Sequence, residues 1–128
     1  MVSDSMNEKN CPIETTLGYI GKRWSLMIIR DLFFGGKRFK DFLKANPELS
    51  AKVLSGRLKE LEKNEIIQKE IVNTTPLLIE YSLTVKGKNL NKVLYEIAMF
   101  SVNNLSHELM AKICSKESIN SLKKQLNL

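Results

Sequence analysis

The sequence predicts a mainly α fold completed by one small β-hairpin, and three observations predict it. First, the stretch Leu49–Ile67 places Ala51, Leu54, Leu58 and Leu61 at i, i+3, i+7 and i+10, one face of a 3.6-residue helix. Second, a short apolar helix precedes it and stops at Asn46-Pro47. Third, two strands follow: Ile79, Tyr81 and Leu83 alternate with Glu80 and Ser82, the period of a half-buried strand. A short helix, a tight turn, a longer amphipathic helix and then a hairpin is a helix-turn-helix with a wing. The expected architecture is a winged helix-turn-helix with extra N- and C-terminal helices.

The elements can be taken in order. Residues 1–9 are polar and read as a disordered tail. Cys11-Pro12 opens a first helix, because proline is pre-set for the first helical position; Ile13, Thr16, Leu17 and Ile20 are its expected buried stripe and Gly21 its end. A second helix, Trp24 to Gly35, is apolar over most of its circumference and belongs deep in the core. After Gly35-Gly36, RFKDFLKA gives a third helix with Phe39, Phe42 and Leu43 inward. Ser50 is a good N-cap for the fourth, and Leu49 before it can staple onto Leu54. The strands run from about Ile66 to Asn73 and from Leu77 to Leu83, with the turn at Asn73-Thr74-Thr75-Pro76. Thr84 then caps a single long helix to about His107, with Leu90, Val93, Leu94, Ile97, Phe100 and Leu105 as a wide stripe. A last helical segment carries Leu109, Ile113, Leu122 and Leu126. These C-terminal helices hold more apolar surface than one small core needs. The excess suggests a homodimer interface, with packing back onto the same chain as the alternative. Residues 10–107 would form the domain with its dimerisation helices, and 108–128 a C-terminal helical extension.

Composition narrows the function. At 128 residues the chain is one domain's worth, with 43% hydrophobic and 27% charged residues, an ordinary soluble composition. No apolar run approaches the roughly 20 residues of a membrane helix, and the start lacks the apolar core of a secretory signal, so no membrane role and a cytoplasmic location are expected. Net charge is +6. The window Lys37–Lys63 holds eight cations (Lys37, Arg38, Lys40, Lys44, Lys52, Arg57, Lys59, Lys63) against four anions (Asp41, Glu48, Glu60, Glu62) and so carries +4 of the total. That concentration favours a polyanionic partner, nucleic acid first. Two distant cysteines, Cys11 and Cys114, and a lone His107 match no metal spacing. No phosphate loop or Ser-His-acid set is present, so neither an enzyme nor a metal or other cofactor is expected.

The outward face of the fourth helix carries Lys52, Ser55, Gly56, Lys59 and Lys63: cations, a hydroxyl and a glycine. Such a face can enter a DNA major groove, or it can be a solvated surface. Sequence-specific binding needs phosphate contacts for position and base contacts for identity. Lys52 suits a phosphate or a guanine edge, Ser50 and Ser55 a base or phosphate, and Lys59 a phosphate one turn on; Gly56 lets the backbone come close. Arg38 suits a phosphate, and Thr74 and Thr75 at the wing tip the minor groove or adjacent backbone. With Val53 on the same helix, the candidate set for double-stranded DNA is Arg38, Ser50, Lys52, Val53, Ser55, Gly56, Lys59, Thr74 and Thr75. Arg57 lies near the edge of the buried stripe with Glu60 and Glu62 close, so an intramolecular ion pair competes there with a base contact.

From Cys11 to Leu105 the chain resembles the HxlR-type winged-helix transcription regulators, relatives of the MarR group. The resemblance rests on five blocks in order: Cys11-Pro12, GKRW at 21–24, RFKDF at 38–42, LSAKVLSGRLKELE at 49–62 and IEYSLTVKG at 79–87. Two positions depart from the family pattern: Leu78 stands where members often carry a wing arginine, and Asn64-Glu65 replaces a glycine-containing turn. The resemblance implies a homodimeric, sequence-specific regulator of transcription on a near-palindromic operator. The alternative is a winged-helix interaction module that docks on an acidic protein partner.

Cys11 is the second point of chemistry. At the N-cap, the helix dipole and free amides favour a thiolate; Lys9 and Lys22 add to this and Glu14 opposes it. The resemblance implies that such an N-terminal Cys-Pro can sense oxidants or electrophiles, with Cys114 a candidate partner. The other readings are an inert capping Cys11 with an idle Cys114, or a small apolar effector bound between the dimer helices. Trp24, Phe33, Phe34, Phe39 and Phe42 read more simply as core than as a ligand pocket, and His107 as a surface residue.

Overall fold

The computed structural model describes residues 11–105, 108 and 116–128. Its elements are α1 (Pro12–Ile20), α2 (Ser25–Phe33), α3 (Phe39–Ala45), α4 (Ala51–Lys63), β1 (Ile67–Thr74), β2 (Leu77–Leu83), α5 (Val85–Lys88), α6 (Asn91–Asn104) and α7 (Lys116–Gln125). This is the expected mainly α architecture with a two-stranded antiparallel hairpin after the second helix of a helix-turn-helix.

Local chemistry sets the boundaries. Pro12 sits at the start of α1 with Cys11 as N-cap. Ser50 caps α4, its Oγ accepting the Val53 N–H at 3.2 Å, and Leu49 and Leu54 are both buried in one cluster, as a staple requires. Asp41 accepts the Arg38 and Lys37 amides at 2.9 and 3.2 Å, which closes the start of α3. Glu65, where the family's turn contains glycine, takes φ 61°, the left-handed conformation in which glycine costs least.

Ile28 and Ile29 of α2, Phe42 of α3, Leu54, Leu58 and Leu61 of α4, Ile66 and Ile67 entering β1, and Leu83 of β2 form one core, with Ile20 closing it from α1. Each such side chain contributes roughly 1.5–3 kcal/mol by leaving water. The hairpin pairs Ile67 with Leu83, Lys69 with Tyr81 and Ile71 with Ile79, then slips between Ile71 and Asn73 so that Thr74 faces Leu77. Only Ile67 of β1 and Leu83 of β2 are buried, so the base of the hairpin is anchored and the rest projects as a wing. Thr84 holds that base: its hydroxyl lies 2.6 and 3.0 Å from the Glu65 and Ile66 carbonyl oxygens and accepts the Gly87 N–H. Gly87 is required here, because a Cβ would collide with the Ile66 carbonyl oxygen.

Two expectations change, and the open question of the C-terminal helices is answered in part. The α1 stripe is not buried within the chain: Ile13 and Leu17 are 66% and 52% exposed and only Ile20 is covered, because α1 meets the core through its C-terminal end. The long helix after Thr84 is two, α5 and α6. The Asn89 and Leu90 amides close a turn onto Val85 and Gly87, and the Gly87 approach to Ile66 fixes α5 to the hairpin base. Leu90, Val93 and Leu94 then pack on the core, whereas Ile97 and Phe100 stay exposed. Finally, the end of the chain does pack back: Leu126 is fully buried, and Asn91 Nδ2 donates to its carbonyl at 3.0 Å. The expected tail at 1–9, and His107, Leu109, Ile113 and Cys114, lie outside the described residues.

Candidate nucleic-acid interface

α4 is held by its apolar face and presents the opposite one. Leu54, Leu58 and Leu61 are buried, whereas Lys52, Lys59 and Lys63 are exposed and none of the three is in an ion pair with a described residue. The helix's own carboxylates are drawn to its flanks. Glu60 Oε1 receives Lys22 Nζ at 2.8 Å and lies 3.7 Å from Arg57; Glu62 faces Lys69 of the wing at 3.8 Å. The cationic side chains of the outward face are thus left uncompensated by their neighbours. A Cβ added at Gly56 would meet nothing within 4 Å, so the backbone there is open to an approaching surface.

The structure sorts the other expected residues. Ser50 is engaged as a cap, and its Oγ retains its own proton for a further partner. Ser55 and Lys59 line a small cleft between α4 and the wing with Glu62, Lys69 and Tyr81. Thr74 and Thr75 stand exposed at the wing tip, next to a cis Thr75–Pro76 bond. Val53 is half-buried against the core and stands at the margin of the outward face. Arg38, the N-cap of α3, is not free: its Nε lies 3.6 Å from Glu80 Oε2 on β2. The Lys37 carbonyl also accepts the Tyr81 N–H at 2.7 Å, so the start of α3 and the wing are joined. Tyr81 packs edge-on against Phe42 at 6.2 Å, and burial pushes its phenol up, with Glu62 adding to the shift. Leu78, in place of a wing arginine, is half-buried and supplies no charge.

Two supports of α4 escape sequence reasoning. One is the loop before α2. Arg57 Nε donates to the Arg23 carbonyl at 2.8 Å, and Lys22 bonds Glu60. Trp24, the next residue, takes φ 79°, a costly backbone for a bulky side chain, under the Arg23 guanidinium at 5.1 Å. The GKRW block is the sequence signal for this strap. The other support is a buried polar cluster. Asn46 Nδ2 donates to Asp31 Oδ2 at 2.7 Å and to the Phe42 carbonyl at 2.9 Å, and Arg30 donates to Asp31 Oδ1 at 2.7 Å. The turn that launches α4 is thereby pinned to the end of α2.

On the far side, α1, α2 and α6 frame an apolar groove of about 630 Å³, lined by Ile13, Leu17, Trp24, Met27, Val93 and Ile97. Cys11, next in sequence to Pro12 of the groove lining, is half-buried, with its thiol free and its carbonyl accepting both the Thr15 amide and hydroxyl at 3.0 Å.

A buried-backed basic helix, a turn pinned to the preceding helices and a projecting hairpin define a winged helix-turn-helix protein of the DNA-binding regulator class. The chain belongs to the HxlR-like helix-turn-helix family, whose model matches residues 19–109. It is 42% identical over 93 residues to the HTH-type transcriptional regulator YodB of Bacillus subtilis, covering 72% of this chain and 83% of that one. The reduced form of YodB superimposes with a TM-score of 0.65 at 38% identity, over 75% of this chain and 95% of that one. The quinone-bound form gives 0.62 at 39%, over 73% and 98%. The redox regulator HypR in its oxidised form gives 0.69 at 31%, over 75% and 99%. No helix among the described residues is long and apolar enough to cross a membrane.

Proposed function

We propose that this chain acts as a homodimeric, sequence-specific transcriptional regulator on a near-palindromic operator, with α4 of each subunit in the major groove of one half-site. The observation that carries this is the sorting of charge on α4, with its acids paired at the flanks and Lys52, Lys59 and Lys63 left outward beside the open Gly56. The second copy would cover the apolar groove and the exposed Ile13, Leu17, Ile97 and Phe100. Half-site centres would then lie about 34–70 Å apart.

Control would act on α1. Cys11 sits free at its N-cap, and two relatives were solved in quinone-bound and oxidised forms, which supports regulation by electrophiles or thiol oxidation at Cys11. A small apolar effector in the groove is the alternative input.

The test is selection of bound duplexes from a random DNA library by the purified protein. Enrichment of a two-fold symmetric motif is expected; failure of folded protein to enrich any motif would turn the reading to an interaction module for an acidic partner. Repeating the assay with diamide or a quinone on wild type and Cys11→Ser separates the inputs, since a thiol sensor loses its response in the variant.

A further inference from the structure

The C-terminal segment beyond the family match does more than fill space. α7 ends in a closed cap: the Leu128 amide donates to the Lys123 carbonyl at 2.8 Å, the Asn127 amide to Lys124, and Asn127 takes φ 59°. Leu126 is driven fully into the protein, Asn91 holds its carbonyl, and Lys123 lies over the Tyr95 ring at 5.6 Å. This anchoring leaves Lys124, Gln125 and Asn127 as one wall of a cleft of about 500 Å³, within the size range of small-ligand sites.

The opposite walls are Lys37, ahead of α3, and Lys88, at the end of α5, with Gln68 and Ser82 of the wing. Among the described residues no Asp or Glu lines the cleft, and none of Lys37, Lys88 and Lys124 is ion-paired with a described residue. Leu32, Phe33 and Leu83 form an apolar floor. Three lysines from three separate parts of the chain thus line one cleft and give it a positive charge that suits an anion.

We propose that this cleft binds a small organic phosphate, its phosphate among Lys37, Lys88 and Lys124 and its apolar part on Leu32 and Phe33. Phosphate is favoured over carboxylate because a phosphate monoester carries nearly two negative charges where a carboxylate carries one, and lysine binds phosphate as a point charge. Bound there, the ligand bridges the C-terminal segment to the base of the wing, on surface separate from the outward face of α4.

The probe is phenyl phosphate, titrated into the full-length protein at fixed ionic strength and followed by amide chemical shifts, with phenol as the uncharged control. Saturable shifts confined to the neighbourhoods of residues 37, 68, 82, 88 and 124–128 are expected, with phenol inert there. Lys88→Gln/Lys124→Gln, two exposed positions, should weaken the probe about tenfold with an unchanged melting temperature. Shifts that rise linearly and spread over all surface lysines, or an equal response to phenol, would overturn the proposal. So would a double variant that loses DNA affinity while wild type ignores phenyl phosphate, which would assign these lysines to the DNA backbone instead.

Discussion

Arg57 and Arg23, two cations 34 residues apart, are joined head to backbone: Arg57 Nε donates to the Arg23 carbonyl oxygen at 2.8 Å. Arg57 is thereby turned inward, with its guanidinium also beside Glu60, and becomes a tie between α4 and the loop after α1. Arg57→Ala should destabilise the fold by about 1–2 kcal/mol in chemical denaturation, the cost of a charged hydrogen bond and its packing. A variant as stable as wild type would mean that the strap contributes nothing to stability.

The pin between α2 and the helix-turn-helix turn rests on one amide. Asn46→Ala removes the side-chain donor to Asp31 Oδ2 and one of the two donors to the Phe42 carbonyl, which keeps the backbone amide of residue 46. Both groups are shielded from water, so a loss of about 2–3 kcal/mol is expected. Equilibrium unfolding in urea measures it, and a change within about 0.5 kcal/mol, the ordinary range of a surface substitution, would contradict the role.

Lys52 and Lys59 should act through phosphate. Replacing both by alanine is expected to weaken DNA binding and to flatten the plot of log affinity against log salt by about 0.9 for each phosphate that the variant no longer neutralises. Fluorescence anisotropy over a salt series reads this directly; an unchanged slope would remove the two lysines from the interface.

Asp41 predicts an acid dependence. Its hydrogen bonds from the Arg38 and Lys37 amides hold its carboxyl below the usual 3.8. A depressed folded-state value means that its stabilisation is present in full above the unfolded value and is lost as pH falls through the folded one. Unfolding measured between about pH 5 and pH 2 should therefore show a shallower acid decline in Asp41→Asn than in wild type. Parallel curves would show that the cap carries no linkage.

Glu65 offers a gain. A non-glycine residue in the left-handed region costs about 1–2 kcal/mol, and glycine gives back about 0.5–1 kcal/mol through the entropy of the unfolded chain. Glu65→Gly should thus stabilise the protein by about 0.5–1 kcal/mol and raise Tm by a few degrees. A lower Tm would mean that the Glu65 side chain contributes more than its backbone costs.

The sequence by itself determined the kind and order of the elements through β2, the cap at Ser50 and the buried face of α4, because periodicity, capping residues and turn residues are local signals; the family showed only as a resemblance, through five motif blocks in series. It left Arg57 open between an ion pair and a base, and the apolar excess of the C-terminal helices open between a partner and the chain itself. Only the tertiary structure decided the first, and it divided the second: Leu126 packs back, whereas Ile97 and Phe100 stay exposed. It set Glu60 against Lys22 and Arg57, paired Arg38 with Glu80 in place of leaving it free, and buried Leu126 beside Asn91. The exposure of the α1 stripe and the break in the helix after Thr84 escape local patterns for the same reason: helical spacing says that one face is apolar, but not whether another part of the chain reaches it. Whether a charge is paired or available depends on groups tens of residues away, brought within 4 Å by packing, and no local pattern encodes that distance.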